Sequence, residues 1–403
     1  MKIPVLAVVV GLLATSVAAQ NEAQELEALK KRVTELEDTQ SKHGERLGDR
    51  ALVGAFSAKS LDLGGELSSL FTWIHGEADD EVGHMVSLVE LFVKAELDDH
   101  WSAFAVPGFY TFNGALLDNP ATPTTAGDPT FTADESTTAR TFLSRLYAEW
   151  RHGDRLTLRG GIVGSPHGTT NREYFIPARQ IAQASLHTRY FLGNTLYPQV
   201  VEGVRASGKL VLGEDWLDCD AYFGVEDDSA DDAIGGARIG YVFADWGLTV
   251  AANYGQGTRQ PAASPLTNFG ILQAPFAGDF FAGRDYQLGG LDFDLRKGDL
   301  IAKTELYYSA EDGFVDQRAA SSEWTWFVCP CWGLTYRFDF YDAGSDVSPL
   351  GPVAPLGIAT EHVVGLSFDP NPSVRLRLDV HHGNLPNTDD TVDYVNISWS
   401  ISF

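Results

Sequence analysis

From Leu61 to the end of the chain, apolar and polar residues alternate with a period of two. The segment from Thr391 to Phe403 follows this pattern most strictly: its odd positions from Val395 are apolar, and its even positions from Asn396 are polar. Because successive side chains of a β-strand point to opposite faces, such a segment forms a strand with one apolar and one polar face. Repetition over about sixteen segments predicts an all-β fold.

Charged residues occupy the polar face in several of these segments. Three examples are the faces formed by Arg145, Tyr147, Glu149 and Arg151, by Thr335, Arg337, Asp339 and Tyr341, and by Arg375, Arg377, Asp379 and His381. An Arg that faced lipid at the middle of a bilayer would cost about 2–4 kcal/mol. We therefore expect the charged faces to point into a wet interior, as in a transmembrane β-barrel that contains a channel.

The connections between the segments alternate between short and long. Tight turns are predicted at 98–101, 151–154, 244–247 and 296–299, and long loops at about 113–140, 165–199, 256–284 and 343–359. Bacterial barrels have short periplasmic turns and long external loops. The alternation predicts an antiparallel outer-membrane barrel of about sixteen strands over residues 61–403.

Residues 1–19 have the features of a secretory signal peptide. Lys2 precedes an apolar run over residues 3–14, and Val17 and Ala19 fit the small-residue cleavage site. After Ala19, the sequence contains no apolar run of about eighteen residues, the length that predicts a membrane-spanning helix. We therefore expect export without a helical membrane span.

Residues 20–48 are predicted to form a periplasmic coiled coil, and residues 49–60 a linker. Leu26, Leu29, Val33 and Leu36 are spaced three, four and three residues apart, which is the spacing of an a/d seam. The segment has only about three heptads, too few for a stable isolated helix. A short oligomeric coil and a helix folded back on the barrel both fit the sequence, and we favour the first.

Composition limits the classes of function. The formal net charge of −26 argues against nucleic-acid binding, which needs a basic surface. The three cysteines do not form a disulfide framework. Cys329 and Cys331 flank Pro330 at a predicted periplasmic turn, where an internal disulfide, free thiols and a disulfide between subunits are all open. Cys219 is expected on the lipid face. We expect no catalytic site, metal site or cofactor.

Three sequence segments carry a resemblance to a known family. They are residues 156–171, with a strand that runs into Ser165-Pro166-His167-Gly168, then Glu202-Gly203-Val204, and finally residues 333–342. The chain resembles trimeric sixteen-stranded outer-membrane porins of the phosphate-selective (O/P) type and their relatives with a periplasmic amino-terminal coiled coil. It lacks the basic ladder of a phosphate channel. The resemblance implies a homotrimer and makes Phe403 part of the signal for the barrel-assembly machinery.

In such porins the third long loop folds into the lumen and sets the constriction. The equivalent loop here covers residues 165–199, and its candidate pore residues are His167, Arg172, Glu173, Arg179 and Arg189. The candidates on the wall are Arg145, Arg159, Arg205, Arg337, Arg375 and Arg377. Unpaired arginines would produce a mild anion preference, whereas arginines paired with carboxylates across strands would stiffen the barrel. The sequence leaves both interpretations open.

We expect an outer-membrane porin that allows passive diffusion of small hydrophilic solutes. The expected partners are outer-membrane lipid and lipopolysaccharide, two further copies of the chain, the barrel-assembly machinery and small solutes. A barrel that tethers the envelope without an open channel is the main alternative. An outer-membrane barrel enzyme is the weaker one.

Overall fold

The computed structural model describes residues 30–31, 58–75, 82–114, 137–172, 179–188, 196–225, 233–259, 283–313, 316–342, 358–384 and 391–403. The chain divides into two compact units, of which residues 62–94 and 100–403 form the larger. The smaller unit is residues 1–61 and 95–99. In the smaller unit, Lys59 Nζ lies 2.5 Å from Asp99 Oδ1 and Ser60 Oγ donates a hydrogen bond to Glu96 over 3.3 Å.

Sixteen strands are present in the described residues: β1 (Ser60–His75), β2 (Val82–Glu96), β3 (Trp101–Gly114), β4 (Thr137–His152), β5 (Leu156–Gly164), β6 (Val200–Leu212), β7 (Asp215–Val225), β8 (Ala233–Phe243), β9 (Leu248–Thr258), β10 (Asp285–Lys297), β11 (Leu300–Glu311), β12 (Gln317–Cys329), β13 (Trp332–Asp342), β14 (Ile358–Asn371), β15 (Val374–Asn384) and β16 (Thr391–Ser402). Between β5 and β6 lie a four-residue helix, α1 (Thr169–Arg172), and a 3-10 helix (Leu186–Thr188). A second 3-10 helix (Ala244–Trp246) connects β8 and β9.

The strands form one closed barrel in which each strand pairs with its neighbours in sequence, and β1 pairs with β16. Ile401 lies opposite Leu67 in the antiparallel register of this closing pair. Phe403 extends the pair, because its backbone N–H donates to the Gly65 carbonyl oxygen over 3.0 Å and its own carbonyl oxygen accepts from Gly65 N over 2.9 Å. The predicted all-β antiparallel barrel of about sixteen strands is confirmed.

The two faces of the strands differ as the alternation predicts. In β16, Ile397 is 55% exposed and Asn396 is 1% exposed. In β15, Leu376, Leu378 and Val380 are exposed, whereas Arg377, Asp379 and His381 are buried. Because the exposed outer face of β15 is apolar, its charged side chains Arg377 and Asp379 lie on the inner face of the barrel. Cys219 is exposed, in agreement with its predicted place on the outer face.

The predicted tight turns join β2 to β3, β4 to β5, β8 to β9 and β10 to β11. Gly153 (φ 57°) and Gly298 (φ 58°) adopt the left-handed conformation in two of these turns, which glycine adopts without the strain of a Cβ atom. The structure places the first strand from Ser60, one residue before the predicted start of the barrel.

The signal peptide and the coiled-coil seam of Leu26, Leu29, Val33 and Leu36 lie outside the described residues. Of the predicted coil only Lys30 and Lys31 are described, and both are helical and exposed. Within the described part of the chain, no helix combines the length and apolar character needed to cross a membrane.

Candidate pore constriction

The described parts of the connection between β5 and β6, residues 165–199, lie against the inner face of the barrel. These parts are residues 165–172, 179–188 and 196–199, and most of their side chains are buried. They contact inward-facing residues of β7, β9, β11, β13, β15 and β16. This segment is called the inner loop below. Its described parts therefore contact the inner wall, and its role as the constriction stays a prediction.

Hydrogen bonds close the two ends of the inner loop on each other. Ser165 N donates to the Gln199 carbonyl oxygen over 3.1 Å, and Ser165 Oγ donates to the Pro198 carbonyl oxygen over 2.5 Å. Asn171 Nδ2 donates to the Ser165 carbonyl oxygen over 2.8 Å. The first turn of the loop is therefore fixed to the point where the chain re-enters the wall.

His167 packs between two strands of the wall. Its Nε2 atom lies 2.8 Å from Tyr222 Oη on β7, and its Nδ1 atom lies 3.4 Å from Asn253 Oδ1 on β9. The side chain is fully buried. Burial lowers the pKa of His167 to about 4, because removal from water penalises the charged imidazolium. His167 is therefore neutral near pH 7.

Gly168 directs the chain from His167 into α1. Its φ of +69° is left-handed, and a Cβ atom at this position would lie 2.8 Å from Glu305 Oε2 and would also collide with Tyr197 Oη. Only glycine fits such a site without strain. The Ser-Pro-His-Gly run therefore matters structurally because it lets the loop turn close to the wall.

Glu305 on β11 fixes the two halves of the inner loop together. Thr169 Oγ1 donates to Glu305 Oε1 over 2.5 Å, while His187 Nε2 lies 2.7 Å from Oε2 and Tyr197 Oη donates to Oε2 over 3.3 Å. All these groups are buried. One carboxyl group thus connects residues that are far apart in the loop sequence.

Arg337 on β13 holds the middle of the loop. Its Nη1 atom donates to the Gln183 carbonyl oxygen over 2.7 Å, and its Nη2 atom donates to the Ala184 carbonyl oxygen over 3.3 Å. The same guanidinium forms ion pairs with Asp339 at 2.9 Å and Glu361 at 3.4 Å. The Arg337 guanidinium therefore contacts both the loop backbone and neighbouring carboxylates.

Two arginines of β15 hold the loop at a third place. Arg375 Nη1 and Arg377 Nε donate to the carbonyl oxygen of Arg179 over 3.1 and 3.0 Å. Arg375 also forms two hydrogen bonds with Asp369, at 2.7 and 2.6 Å. Asp379 accepts a hydrogen bond from Ala182 N over 3.3 Å. Arg375 and Arg377 were expected on the pore wall, and their described contacts are those of loop anchors.

Several other charged wall residues form ion pairs across strands. Arg238 and Asp292 form a buried bidentate pair at 2.7 and 3.0 Å. Arg205 pairs with Asp220 at 2.7 Å, and Arg159 pairs with Glu149 at 2.7 Å. Of the two interpretations that the sequence left open, cross-strand pairing describes these wall residues. Arg145 is buried as well and donates to the Ser144 carbonyl oxygen over 2.6 Å.

The basic residues of the inner loop occupy different environments. Arg172 ends α1, and its side chain is exposed. Arg179 is half-buried and lines a cavity of about 20 Å³ together with Lys303, Glu305, Glu323 and Arg337, which is room for about one water molecule. Glu173 and Arg189 lie outside the described residues. Among the described basic residues of the inner loop, Arg172 is thus the more exposed.

Several residues that hold the loop were not predicted from the sequence. Gln183 is buried, and its side-chain oxygen accepts from Tyr394 Oη over 2.7 Å and from Asn396 Nδ2 over 3.2 Å. Tyr222 and Asn253 hold His167 in the same way. Tyr222, Asn253, Tyr394 and Asn396 all lie at inward positions of their strands. The alternation of apolar and polar residues therefore predicts the face on which these side chains lie. No sequence signal identified their partner in the loop.

No protein-family model and no curated protein matches the chain. Several solved structures resemble its fold. The trimer form of in-vitro folded OmpT, an outer membrane protein of Vibrio cholerae, is 12% identical with a TM-score of 0.54, and the match covers 85% of this chain and 99% of that one. The anion-selective porin from Comamonas acidovorans is 10% identical with a TM-score of 0.55, covering 85% and 99%.

Salmonella typhi OmpF, solved in complex with daunomycin, is 10% identical with a TM-score of 0.56, and the match covers 85% of this chain and 97% of that one. At such low identity the comparisons establish the fold. The chain is a sixteen-stranded closed antiparallel barrel that resembles porins, and its fold matches that of bacterial outer-membrane proteins.

Proposed function

We propose that the protein is an outer-membrane porin that allows passive diffusion of small hydrophilic solutes. The observation that carries the proposal is the inner loop, which is anchored to the polar inner face at Glu305, Arg337 and Arg377. A loop fixed inside a barrel narrows the passage, and its polar contacts with the wall do not fill the barrel with a packed apolar core. Solutes are then selected by the width of the passage and by the charges that line it.

A mild anion preference is the finer part of the proposal, and it rests on the inner loop. Arg172 is exposed, and Arg179 is only half-buried. The preference is small, because Arg159, Arg205 and Arg238 are paired with carboxylates on the wall. Paired charges of opposite sign produce a weak field along a water-filled passage.

Planar-bilayer recordings test both parts. The wild-type protein should conduct ions, and its reversal potential in a salt gradient should show a weak preference for the anion. Arg172→Ala should shift that potential toward cation preference. Arg318→Ala is the matched control, because Arg318 lies on the exposed outer face of β12. Absence of conductance would overturn the channel proposal. An unchanged reversal potential in Arg172→Ala would overturn the assignment of Arg172 to the pore.

We further propose that the mature chain begins after residue 19 and assembles as a homotrimer through a periplasmic coil with a seam of Leu26, Leu29, Val33 and Leu36. The resemblance to the O/P type of porin and the trimer form of OmpT support this arrangement. Mass measurement in mild detergent tests it. Wild-type protein should be trimeric, and a Leu29→Asp/Leu36→Asp variant should lose trimer, because charges at the seam prevent its burial. A wild-type monomer would refute the proposal.

Outer-membrane lipid, lipopolysaccharide and the barrel-assembly machinery are the proposed partners of the folded and folding chain. Phe403 is proposed as part of the assembly signal: it is 69% exposed and follows the strand that closes the barrel. Deletion of Phe403 should lower the amount of protein in the outer membrane. Replacement by Tyr, which keeps the aromatic ring, should preserve it. Equal amounts in the deletion variant and the wild type would contradict the assignment.

A further inference from the structure

We propose that Cys329 and Cys331 form a reversible dithiol–disulfide site on the turn between β12 and β13. Their Sγ atoms lie 3.2 Å apart, and both side chains are partly exposed. The turn lies on the rim that carries the other tight turns, which is the periplasmic rim in the proposed orientation. This inference depends on the proposed function in one respect: the outer-membrane location is what exposes the turn to a natural oxidant.

The turn holds the two thiols close together. Cys329 ends β12, Trp332 begins β13, and these two residues are register partners. Pro330 therefore occupies the first central position of a two-residue turn, where its ring fixes φ near −65°. Cys331 is the second central residue. Because the proline limits the backbone, neither thiol needs a long-range movement to reach the other.

The surroundings of the turn are also constrained. The register between β12 and β13 shifts between Phe327 and Cys329, and a bulge of this kind bends a strand and redirects its side chains. On the other side, the Trp332 and Phe368 rings stack with centroids 4.6 Å apart. The thiol pair thus lies on a short segment that is held at both ends.

A redox role fits this geometry better than a metal site. Two thiolates on a tetrahedral zinc ion, with bonds of about 2.3 Å, are separated by about 3.8 Å. The observed sulfur atoms are closer together. In addition, no group of three or more His, Cys, Asp or Glu residues in the described part of the chain is arranged to hold a metal ion. Two thiols alone leave half of such a coordination shell empty.

Oxidation of the pair requires a two-electron acceptor, and a disulfide can serve as one. One cysteine thiolate attacks a sulfur atom of the oxidant, which forms a mixed disulfide and releases one thiolate. The other cysteine thiolate attacks the protein sulfur of that mixed disulfide, which closes the Cys329–Cys331 bond and releases the second thiolate. The protein loses two thiol protons and two electrons, and the oxidant is reduced to two thiols. A disulfide-bearing protein or small molecule in an oxidising compartment can supply this chemistry.

The experiment counts free thiols in the detergent-solubilised full-length protein. The protein is first reduced, then incubated with oxidised glutathione, denatured in acid and alkylated, and its intact mass is measured. Reduced wild-type protein should accept alkyl groups on all three cysteines. In oxidised wild-type protein, Cys329 and Cys331 should accept neither the alkyl group nor glutathione, and reduction should restore both thiols.

Variants separate the internal disulfide from its alternatives. Cys331→Ser should stop at the mixed disulfide and retain a glutathione adduct, because the attacking thiol is missing. Cys219→Ser is the control, and it should lose both remaining thiols on oxidation. The proposal is overturned if oxidised wild-type protein remains fully alkylated. It is also overturned if oxidation yields a covalent dimer that disappears in Cys329→Ser, since that outcome identifies a bond between chains.

Discussion

Arg377 Nε on β15 donates a hydrogen bond to the backbone carbonyl oxygen of Arg179 over 3.0 Å. Arg377 is an inner-wall residue, and Arg179 belongs to the inner loop, so this bond connects two parts of the chain that are distant in sequence. Arg375 donates to the same oxygen. The loop is therefore fixed by side chains of the wall that bind its backbone.

The first prediction ranks two of these anchors. Arg377→Met leaves the Arg179 carbonyl oxygen with its bond from Arg375, so the cost should be about 1–3 kcal/mol, as for loss of a buried hydrogen bond. Arg337→Met removes the partner of two carbonyl oxygens and of buried Asp339 and Glu361. Its cost should be about 3–5 kcal/mol.

Thermal unfolding in detergent, followed by the circular dichroism of the sheet, measures the ranking. Current fluctuations of single channels should increase in the same order, because a less firmly held loop moves more. Arg318→Met, on the outer face, should change neither quantity. If Arg377→Met were more destabilising than Arg337→Met, the assignment of Arg337 as the principal anchor would be wrong.

The second prediction concerns the buried pair of Arg238 and Asp292. Arg238→Met should destabilise the barrel by about 3–5 kcal/mol, because Asp292 is left as an uncompensated buried charge. The double variant Arg238→Met/Asp292→Leu removes both charges and should be more stable than the single variant. Asn253 Nδ2, which donates to Asp292 over 2.7 Å, would still lose its partner. The same thermal measurement on both variants checks this, and a double variant less stable than Arg238→Met would contradict it.

The third prediction separates backbone strain from steric contact. Alanine at a left-handed position costs about 1–2 kcal/mol. Gly153→Ala should show this cost alone, because a Cβ atom there has no neighbour within 4 Å. Gly168→Ala should cost more and should alter single-channel conductance, since its Cβ atom would press on Glu305 and Tyr197. Equal effects of the two substitutions would mean that the loop relaxes around the new methyl group.

The sequence was sufficient to predict the barrel because each strand carries its own signal. In β15 and β16 the alternation alone separates Leu376 and Ile397, which are exposed, from Arg377 and Asn396, which are buried. The same rule placed the predicted wall residues on the inner face. Strand number followed from counting segments, and the barrel followed from the charged faces, which require a wet interior.

The partners of the loop were not predictable from the sequence. The contact between Arg337 and Gln183 depends on the path of an irregular loop, which no periodicity describes. The sign of the electric field in the lumen was not predictable either, because it depends on which charges are paired. The sequence shows Arg205 as a positive charge, but it does not show that Arg205 forms an ion pair with Asp220. The burial of His167 against Tyr222, which keeps the imidazole neutral near pH 7, was likewise not predictable from the sequence.

The last prediction follows from that burial. The folded-state pKa of His167 is about 4, below the value near 6.5 of an exposed histidine. Between these values the unfolded chain binds a proton that the folded chain does not, so stability rises with pH across this window. The contribution of His167 is therefore fully present above about pH 6.5, and it decreases on acidification to about pH 4.

The charged groups that act on His167 come from the surrounding wall. Burial has the largest effect on the pKa of His167. Arg205 and Arg238 also disfavour the imidazolium, while Asn253 and Asp220 favour it.

This shift in the pKa of His167 corresponds to about 3 kcal/mol. His167→Gln keeps a hydrogen-bonding side chain and removes the titration. Its apparent melting temperature should therefore change less than that of the wild type between pH 7.5 and pH 4.5. His152→Gln, at an exposed site, should behave as the wild type. Parallel pH profiles for the wild type and His167→Gln would show that His167 does not titrate with unfolding.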